Sequence, residues 1–277
     1  MKIFITGATG FIGRNLVEYY KGYDVIEYRR SNPLFDCLLM ADPDVIINCA
    51  AEIYNQDLMW DANINIPAVC IDYLKGTKNK KMIQIGSSSE YGPMPRASAE
   101  IDRINPVDMY QTTKGMATIL CQGAARTFGL DIKIARPYSV YGKYEKSHRL
   151  FPRLWRAFQL GQSMKLFDGE HDFIYINDFV RGVDLLVNSN NNKQGDIVNF
   201  GSGVQYSNIN VWNMFSNITC RTAPIDHVLG MAKKFESEIW KCDTTYAKDA
   251  YGFECQYDLE AGIRDFLETA QYNKDEI

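Results

Sequence analysis

The chain has 277 residues and a mass of 31.7 kDa, which fits one large domain or a core domain with a small appendage. Hydrophobic residues make up 46% and charged residues 23%, so the composition excludes a disordered chain. The net charge is -4 without a basic stripe, and no apolar run reaches the roughly 18 residues of a membrane helix. We therefore expect neither nucleic acid nor a membrane as a partner.

The cysteines and histidines give no sign of a disulfide framework or a metal site. The seven cysteines are odd in number and no pair has CxxC spacing, while the three histidines are scattered. The N-terminal residues do not resemble a signal peptide, because glycines interrupt the short apolar run. We expect a cytoplasmic protein without a bound metal.

Strands and helices alternate along the first half of the chain. Apolar runs predict strands at Lys2–Thr6, 24–28, 44–51, 82–85 and 132–135. Helical periodicity predicts helices after the first glycine turn and at 67–75, 108–128, 151–160, 178–187 and 259–270. In the helix 108–128 we expect the following residues to face inward: Met109, Met116, Ile119, Leu120, Ala124 and Phe128. This alternation predicts an α/β fold with a doubly wound parallel sheet.

A glycine motif joins the first predicted strand to the first helix. Gly7 permits a tight turn, Gly10 lets a pyrophosphate approach the backbone, and Gly13 allows close packing of helix on strand. Phe11 and Ile12 complete the motif at the start of the helix. In this strand–turn–helix setting, the motif predicts a dinucleotide site.

The residues after the second strand predict which dinucleotide binds. An acidic residue there would accept hydrogen bonds from the ribose of NAD, whereas a basic residue would bind the 2′-phosphate of NADP. Arg29 and Arg30 follow this strand, while Glu27 lies on the strand itself. We predict NADP as the cofactor, with NAD less favoured.

Tyr110 and Lys114 are spaced to share one face of the long helix. A nearby ammonium favours the phenolate, which helps a tyrosine exchange a proton near neutral pH. Gly86 and three serines end the preceding strand, and a serine hydroxyl there is placed to bind a carbonyl oxygen.

Together these motifs resemble the extended short-chain dehydrogenase/reductases, and specifically the NAD(P)-dependent nucleotide-sugar epimerases, dehydratases and reductases. The segments that carry the resemblance are GATGFIG, IGSSSEYG, YQTTK, ARPYSVYG and DFIYINDF, in the family's order over nearly the whole chain. The resemblance implies a Rossmann domain, a small C-terminal substrate-binding domain and hydride transfer between nicotinamide and a sugar carbon. It divides the chain into a cofactor domain, 1–142 with a return segment near 172–203, and a substrate domain, 143–171 and 204–277.

The resemblance also implies roles for individual residues. Tyr110 becomes the acid/base, Lys114 the residue that holds the nicotinamide ribose, and Ser87 the catalytic serine four residues before Tyr91. Further cofactor contacts are implied for three residues, Ala50, Ala51 and Asn65. The implied substrate-binding residues are Ser88, Ser89, Tyr91, Ser139, His148, Arg153 and His171.

Departures from the family pattern narrow the expected reaction. The 4,6-dehydratases carry an acid/base pair or a glutamate directly after the catalytic Ser or Thr, where this chain has Ser88 and Ser89. Ser139 replaces the usual Asn of RPxNxYG, and His171 replaces the Arg that binds the diphosphate, with the loss of a permanent charge. In epimerase–reductases that resemble this chain, a histidine in the region of His148 can act as an acid.

The short interval from Arg29 to Asp44 resembles the deoxysugar 4-keto reductases and predicts that a third strand is missing or vestigial there. We therefore expect an NADP-dependent reductase of a nucleotide-diphosphate 4-keto-6-deoxy sugar, acting as a homodimer. One alternative is a 4-epimerase that retains its cofactor. Another is a non-catalytic NADP-binding sensor.

Overall fold

The computed structural model describes residues 1–191, 193–231 and 239–271. Six parallel strands form its central sheet in the order β2-β1-β3-β4-β5-β9. These strands are β1 (Lys2–Thr6), β2 (Asp24–Glu27), β3 (Val45–Asn48), β4 (Lys81–Ile85), β5 (Asp131–Pro137) and β9 (Asp196–Phe200). The order reverses beside β1, so a topological switch point lies between β1 and β3, where dinucleotides bind in such sheets.

The described residues form ten α-helices. They are α1 (Phe11–Tyr19), α2 (Leu34–Ala41), α3 (Gln56–Trp60), α4 (Ile66–Lys75), α5 (Met109–Phe128), α6 (Leu150–Leu160), α7 (Ile176–Asn188), α8 (Asn208–Thr219), α9 (Thr245–Tyr251) and α10 (Leu259–Gln271). Helix α1 contacts α7, while α4 contacts both α2 and α5. The predicted α/β, Rossmann-type fold is confirmed.

The chain between β2 and β3 contains one helix, α2, and no additional strand. The prediction that a strand is missing here is therefore confirmed. Strand β3 is also shorter than the predicted run of residues 44–51, because the chain leaves the sheet after Asn48. The residues that follow, from Cys49 onward, are thereby released to form a loop at the carboxyl edge of the sheet.

The second half of the chain adds two small sheets beside the central one. One has the order β10-β8-β6, and the other pairs β11 with β7. Their strands are β6 (Ser139–Tyr141), β7 (Met164–Asp168), β8 (Glu170–Tyr175), β10 (Gln205–Ser207) and β11 (Ile225–Met231). A buried apolar core continues from one face of the central sheet to Phe266 of α10. Within the predicted substrate domain, residues 232–238 and 272–277 lie outside the described chain, as does residue 192 of the return segment.

The prediction of which α5 residues face inward is wrong for all but one of them. Ala124 is buried as expected, but Met109, Met116, Ile119, Leu120 and Phe128 are exposed. The buried face instead carries small and polar residues: Gln111, Thr113, Lys114, Gly115, Ala117, Thr118, Cys121, Ala124 and Ala125. The helix packs on neighbouring elements through these short side chains, which leaves its large apolar residues at the surface.

Across the described parts of the chain, every helix is too short or too polar to span a bilayer. The same residues contain no group of three or more His, Cys, Asp or Glu side chains arranged to hold a metal ion.

Candidate active site

The glycine turn between β1 and α1 is shaped by backbone contacts that exclude side chains. Gly7 has a φ of +64°, and a Cβ there would lie 2.7 Å from the backbone nitrogen of Ala50. A Cβ on Gly13 would lie 2.1 Å from the carbonyl oxygen of Gly7. Gly10 precedes α1, and no side chain caps the helix there. Phe11 and Ile12 open the helix, so its first amides face the switch point without a side-chain acceptor, as a pyrophosphate site requires.

Buried polar side chains cross the carboxyl ends of the central strands. The Thr6 hydroxyl donates to Asn48, and the Asn48 side-chain amide donates to Gln84 Oε1 at 2.7 Å. Ala50 is buried directly after this ladder, and Ala51 is exposed. The ladder fixes the spacing of three strand ends, and sequence analysis did not identify it.

Ser87 begins the loop that follows β4. It precedes a short 3₁₀ turn, Ser88–Tyr91, and its hydroxyl accepts a hydrogen bond from the Ser89 amide. The Ser87 and Ser89 hydroxyl oxygens lie 2.7 Å apart, while Ser88 is buried. Ser87 therefore presents a hydroxyl in a fixed position at the sheet edge.

Tyr110 lies in the first turn of α5, which Asp108 caps by accepting from the Gln111 amide at 2.8 Å. Burial raises the pKa of Tyr110 to about 12, and a hydrogen bond from Ser87 partly opposes this. The charge of Arg149 also favours the phenolate, whereas Glu90 and Asp108 disfavour it. At physiological pH the Tyr110 phenol therefore keeps its proton, and it lies beside Ser87.

Lys114 is buried one helical turn after Tyr110 and donates from Nζ to the carbonyl oxygen of Ile85. Burial lowers the pKa of Lys114, and the Glu90 carboxylate opposes that shift. The structure therefore brings Ser87, Tyr110 and Lys114 to one place at the end of β4.

A buried ion pair lies behind these residues and was missed by sequence analysis. Glu90 Oε2 lies 2.7 Å from an Arg136 terminal nitrogen, and both side chains are fully buried. The only sequence signal was the presence of a carboxylate and a guanidinium in two of the quoted motifs. Their pairing depends on the contact between the ends of β4 and β5.

Two cavities flank the end of β2. The first, of about 250 Å³, contains Arg30 together with Tyr28, Asp61 and Asn65. The second, of about 500 Å³, is lined by the following residues: Ala8, Thr9, Arg14, Val17, Glu18, Glu27 and Tyr144. Arg29 and Arg30 are both exposed. A basic and an acidic residue thus both lie near the end of β2, where the sequence predicts that the cofactor is selected.

Residues 143–149, called the strap below, connect α1 to the loop after β3. At one end, Lys143 Nζ lies 2.8 Å from Glu18, and the Arg14 guanidinium lies 3.8 Å from the centre of the Tyr144 ring. At the other end, His148 Nε2 lies 2.7 Å from the Tyr54 hydroxyl. Because α1 follows β1 and Tyr54 follows β3, the strap crosses the switch point.

The remaining substrate-binding candidates are spread over several environments. Tyr91 is buried and its hydroxyl donates to Asn199 at 2.9 Å, so the structure does not bring it to an open surface. Ser139 starts β6, and Arg153 donates to the Lys165 carbonyl at 2.6 Å. His171 lies on β8, with its ring 5.6 Å from that of Phe173.

Two asparagines near the start of α4 have different surroundings. Asn65, the predicted cofactor residue, is exposed and lines the cavity that contains Arg30. Asn63 is buried, and its amide donates to the Glu52 carbonyl at 3.0 Å and to Thr113 at 2.9 Å. Asn63 thus links the loop after β3 to α5 and was missed by sequence analysis.

Residues 3–201 match the model of the family described as NAD dependent epimerase/dehydratase. The chain belongs to this family. The resemblance predicted from its motifs is confirmed, and the protein is an enzyme of the NAD(P)-dependent oxidoreductase and epimerase type.

Curated relatives are similar over most of the chain. An uncharacterized UDP-glucose epimerase from Bacillus subtilis, YtcB, is 26% identical over 306 aligned positions, which cover 95% of this chain and 96% of the relative. A CDP-abequose synthase from Yersinia pseudotuberculosis is 26% identical over 218 positions, covering 69% and 75%.

A solved structure supports the fold. The UDP-glucuronic acid 4-epimerase from Bacillus cereus, in complex with UDP-glucuronic acid and NAD, has a TM-score of 0.89 at 23% identity. The match covers 98% of this chain and 99% of that one.

Proposed function

We propose that this enzyme reduces the 4-keto group of a nucleotide-diphosphate 4-keto-6-deoxy sugar, with NADPH as the hydride source. The observation that carries the proposal is the convergence of Ser87, Tyr110 and Lys114 beside a glycine turn, with no free carboxylate in the loop after β4. Ser88 and Ser89 occupy the positions where an eliminating enzyme needs an acid or base. The adjacent Glu90 is buried in its pair with Arg136. This disfavours dehydration and favours simple reduction.

The proposed steps assign one task to each residue. Ser87 donates a hydrogen bond to the keto oxygen, and Tyr110 delivers the proton that this oxygen needs. The high pKa of Tyr110 suits this direction, because the phenol is protonated before reaction. Lys114, buried one helical turn away, orients the ribose of the bound cofactor, and its ammonium form favours the phenolate left after proton transfer. The bound reduced nicotinamide supplies the hydride.

The proposal places the dinucleotide across the switch point. The pyrophosphate would lie on Gly10 and the first amides of α1, next to Ala50 and Ala51. The 2′-phosphate of NADP would lie near Arg29 and Arg30 at the end of β2. The strap would then cover the crevice, and the substrate would approach from the predicted substrate domain, 143–171 and 204–277.

A 4-epimerase is the second candidate, and the strap is the observation that favours it. An epimerase keeps its cofactor between turnovers, and contacts at both ends of residues 143–149 would slow cofactor release. An epimerase must first remove a proton from a sugar hydroxyl, which requires a phenolate. The raised pKa of Tyr110 in the cofactor-free chain weighs against this starting state.

The purified enzyme should be assayed with NADPH and a panel of CDP-, GDP- and dTDP-linked 4-keto-6-deoxyhexoses. We expect loss of NADPH absorbance in proportion to the reduced sugar that is formed. The matched control is Tyr110→Phe, which keeps the aromatic ring but lacks the hydroxyl group that would donate the proton. Interconversion of two nucleotide hexoses without net NADPH oxidation would replace the reductase by the epimerase.

We further propose that the enzyme is a homodimer that buries the exposed face of α5. Met116, Ile119 and Leu120 lie on that face, and the adjacent α3 exposes Leu58. Exposed apolar residues on one helix face suit a self-complementary interface between two copies. Light scattering should give twice the chain mass, and Ile119→Glu should shift the enzyme towards a monomer.

The seven free cysteines are in keeping with a reducing cytoplasm, where we place the enzyme.

A further inference from the structure

The buried pair of Glu90 and Arg136 is directly connected to residues 86–92, called the catalytic loop below because they include the proposed catalytic residue Ser87. Glu90 Oε2 accepts from Arg136 at 2.7 Å, and Glu90 Oε1 accepts from the Ser87 backbone amide at 2.8 Å. A Cβ on Gly86 would lie 2.8 Å from the same Oε1 atom. The carboxylate therefore fills the space beneath the turn that begins at Ser87, and a glycine is needed to admit it.

Arg136 depends on Glu90 for its charge compensation. Among the described residues, its Nε and its second terminal nitrogen have no hydrogen-bond partner. Its guanidinium also lies 4.4 Å from the centre of the Tyr91 ring, which contributes a weaker cation–π contact. Glu100 is the other nearby carboxylate, but it accepts from the Asn199 amide at 2.8 Å. A buried charge pair of this kind costs desolvation free energy, so a role beyond stability would explain its presence.

We propose that Glu90 is a positioning residue for the catalytic loop: it holds the Ser87 amide and, neutralised by Arg136, sets the charge balance around Tyr110. This inference rests on the proposed function for its kinetic consequences only. Glu90 is too deeply buried to touch a substrate, and it acts through the Ser87 backbone and through the electrostatic field at Tyr110.

The charged and polar groups that face Tyr110 determine whether a replacement of Glu90 raises or lowers the Tyr110 pKa. Ser87 and the Arg149 charge favour its phenolate, while the Glu90 and Asp108 carboxylates favour its neutral form. Lys114, one turn further along α5, interacts with Glu90 as well. Replacing Glu90 by Gln removes one negative charge and leaves Arg136 uncompensated. Both changes lower the pKa of Tyr110.

A double-mutant cycle of Glu90 and Ser87, measured by steady-state kinetics, tests the positioning role of Glu90. Glu90→Ala removes the acceptor for the Ser87 amide, and Ser87→Ala removes the hydroxyl that this amide positions. If Glu90 acts through Ser87, its replacement should lower kcat about tenfold or more in the wild type and have little effect in the Ser87→Ala background. KM for the sugar should change by less than about twofold. Equal losses in both backgrounds would show a purely structural role and overturn the proposal.

A titration that needs no substrate separates this inference from the proposed function. In ¹³C-tyrosine-labelled enzyme with bound NADP⁺, Glu90→Gln should lower the Tyr110 pKa by about half a unit to one unit. The matched control is Glu100→Gln, which removes a carboxylate near Arg136 that does not bond Ser87, and it should lower that pKa by less than Glu90→Gln does. An unchanged Tyr110 pKa in Glu90→Gln would overturn the proposal. If no keto sugar is reduced by the wild type, the proposed function fails, and the titration still decides the role of Glu90.

Discussion

The Tyr54 hydroxyl lies 2.7 Å from His148 Nε2, and the two rings meet edge to face with centroids 5.3 Å apart. This contact joins the loop after β3 to the strap of residues 143–149. Lys143 at the other end of the strap is paired with Glu18 of α1. A dinucleotide bound at the switch point would therefore lie under a segment that is fixed at both ends.

Tyr54→Phe should accelerate cofactor release, because it removes the hydrogen bond to His148 and keeps the ring contact. One hydrogen bond contributes roughly 0.5–1.5 kcal/mol, so the release rate of NADPH should rise about two- to tenfold. Stopped-flow fluorescence of bound NADPH measures this rate. Tyr23→Phe is the matched control, since Tyr23 is exposed after α1 and is not part of the strap. Equal release rates in all three proteins would show that the Tyr54 contact does not retain the cofactor.

Tyr110→Phe should reduce turnover by several orders of magnitude while NADPH binding stays nearly unchanged. In the proposed mechanism the phenol supplies the proton to the keto oxygen, whereas the cofactor phosphates are expected on Gly10 and α1. Single-turnover assays would give the chemical rate, and fluorescence titration would give the NADPH Kd. Near wild-type turnover in this variant would remove Tyr110 from the mechanism.

The fold could be predicted from sequence because its signals are local. The glycine motif and the alternation of apolar strands with amphipathic helices fix the β1–α1 unit and the parallel sheet. The face of α5 could not be predicted in the same way. Hydrophobicity alone suggests that Met116 and Ile119 are buried, yet close packing around the buried Lys114 requires short residues such as Gly115 and Ala117 on the inner face.

The candidate site was only partly predictable for a similar reason. The sequence singles out Ser87, Tyr110 and Lys114 because they belong to short motifs with fixed spacing, and the structure brings these three residues together. Glu90 and Arg136 are separated by 46 positions, and their ion pair exists only because the ends of β4 and β5 are neighbours in the sheet. Contacts that depend on strand order cannot be read from one sequence without the topology.

Arg29 and Arg30 should determine the preference for NADPH over NADH. Hydrogen bonds to charged groups contribute about 1.5–3 kcal/mol, so Arg29→Ala should weaken NADPH binding about tenfold to a hundredfold. NADH lacks the 2′-phosphate and should bind this variant as it binds the wild type. Arg30→Ala tests the guanidinium that lines the cavity with Asn65. Tighter binding of NADH than of NADPH by the wild-type enzyme would contradict the choice of NADP and would point to Glu27 as the ribose ligand.

Glu145 should make the stability of the enzyme depend on pH near neutrality. Its side chain is 4% exposed, its Oε2 has no hydrogen-bond partner among the described residues, and burial raises its pKa to about 7. The ordinary value for this carboxyl is 4.5. Between pH 4.5 and about pH 7, Glu145 keeps its proton in the folded state and has lost it in the unfolded state. Stability should therefore fall as pH rises through this window, by about 3 kcal/mol in total, and level off above it.

Glu145→Gln should flatten this dependence, because the amide has no charge to desolvate. The variant should be more stable than the wild type at about pH 8 and similar to it at about pH 5, as measured by urea unfolding. The lost pair with Arg149 should contribute less than about 1 kcal/mol, since Arg149 is 47% exposed. Glu18→Gln is a control of opposite sign, because a hydrogen bond from Lys143 lowers the pKa of Glu18. Loss of the Glu18 carboxylate should slightly destabilise the enzyme at pH values above the ordinary pKa of a glutamate. If Glu145→Gln unfolds with the wild-type pH profile, Glu145 is ionised throughout this range, and its buried oxygen must be stabilised by water or by a bound ligand.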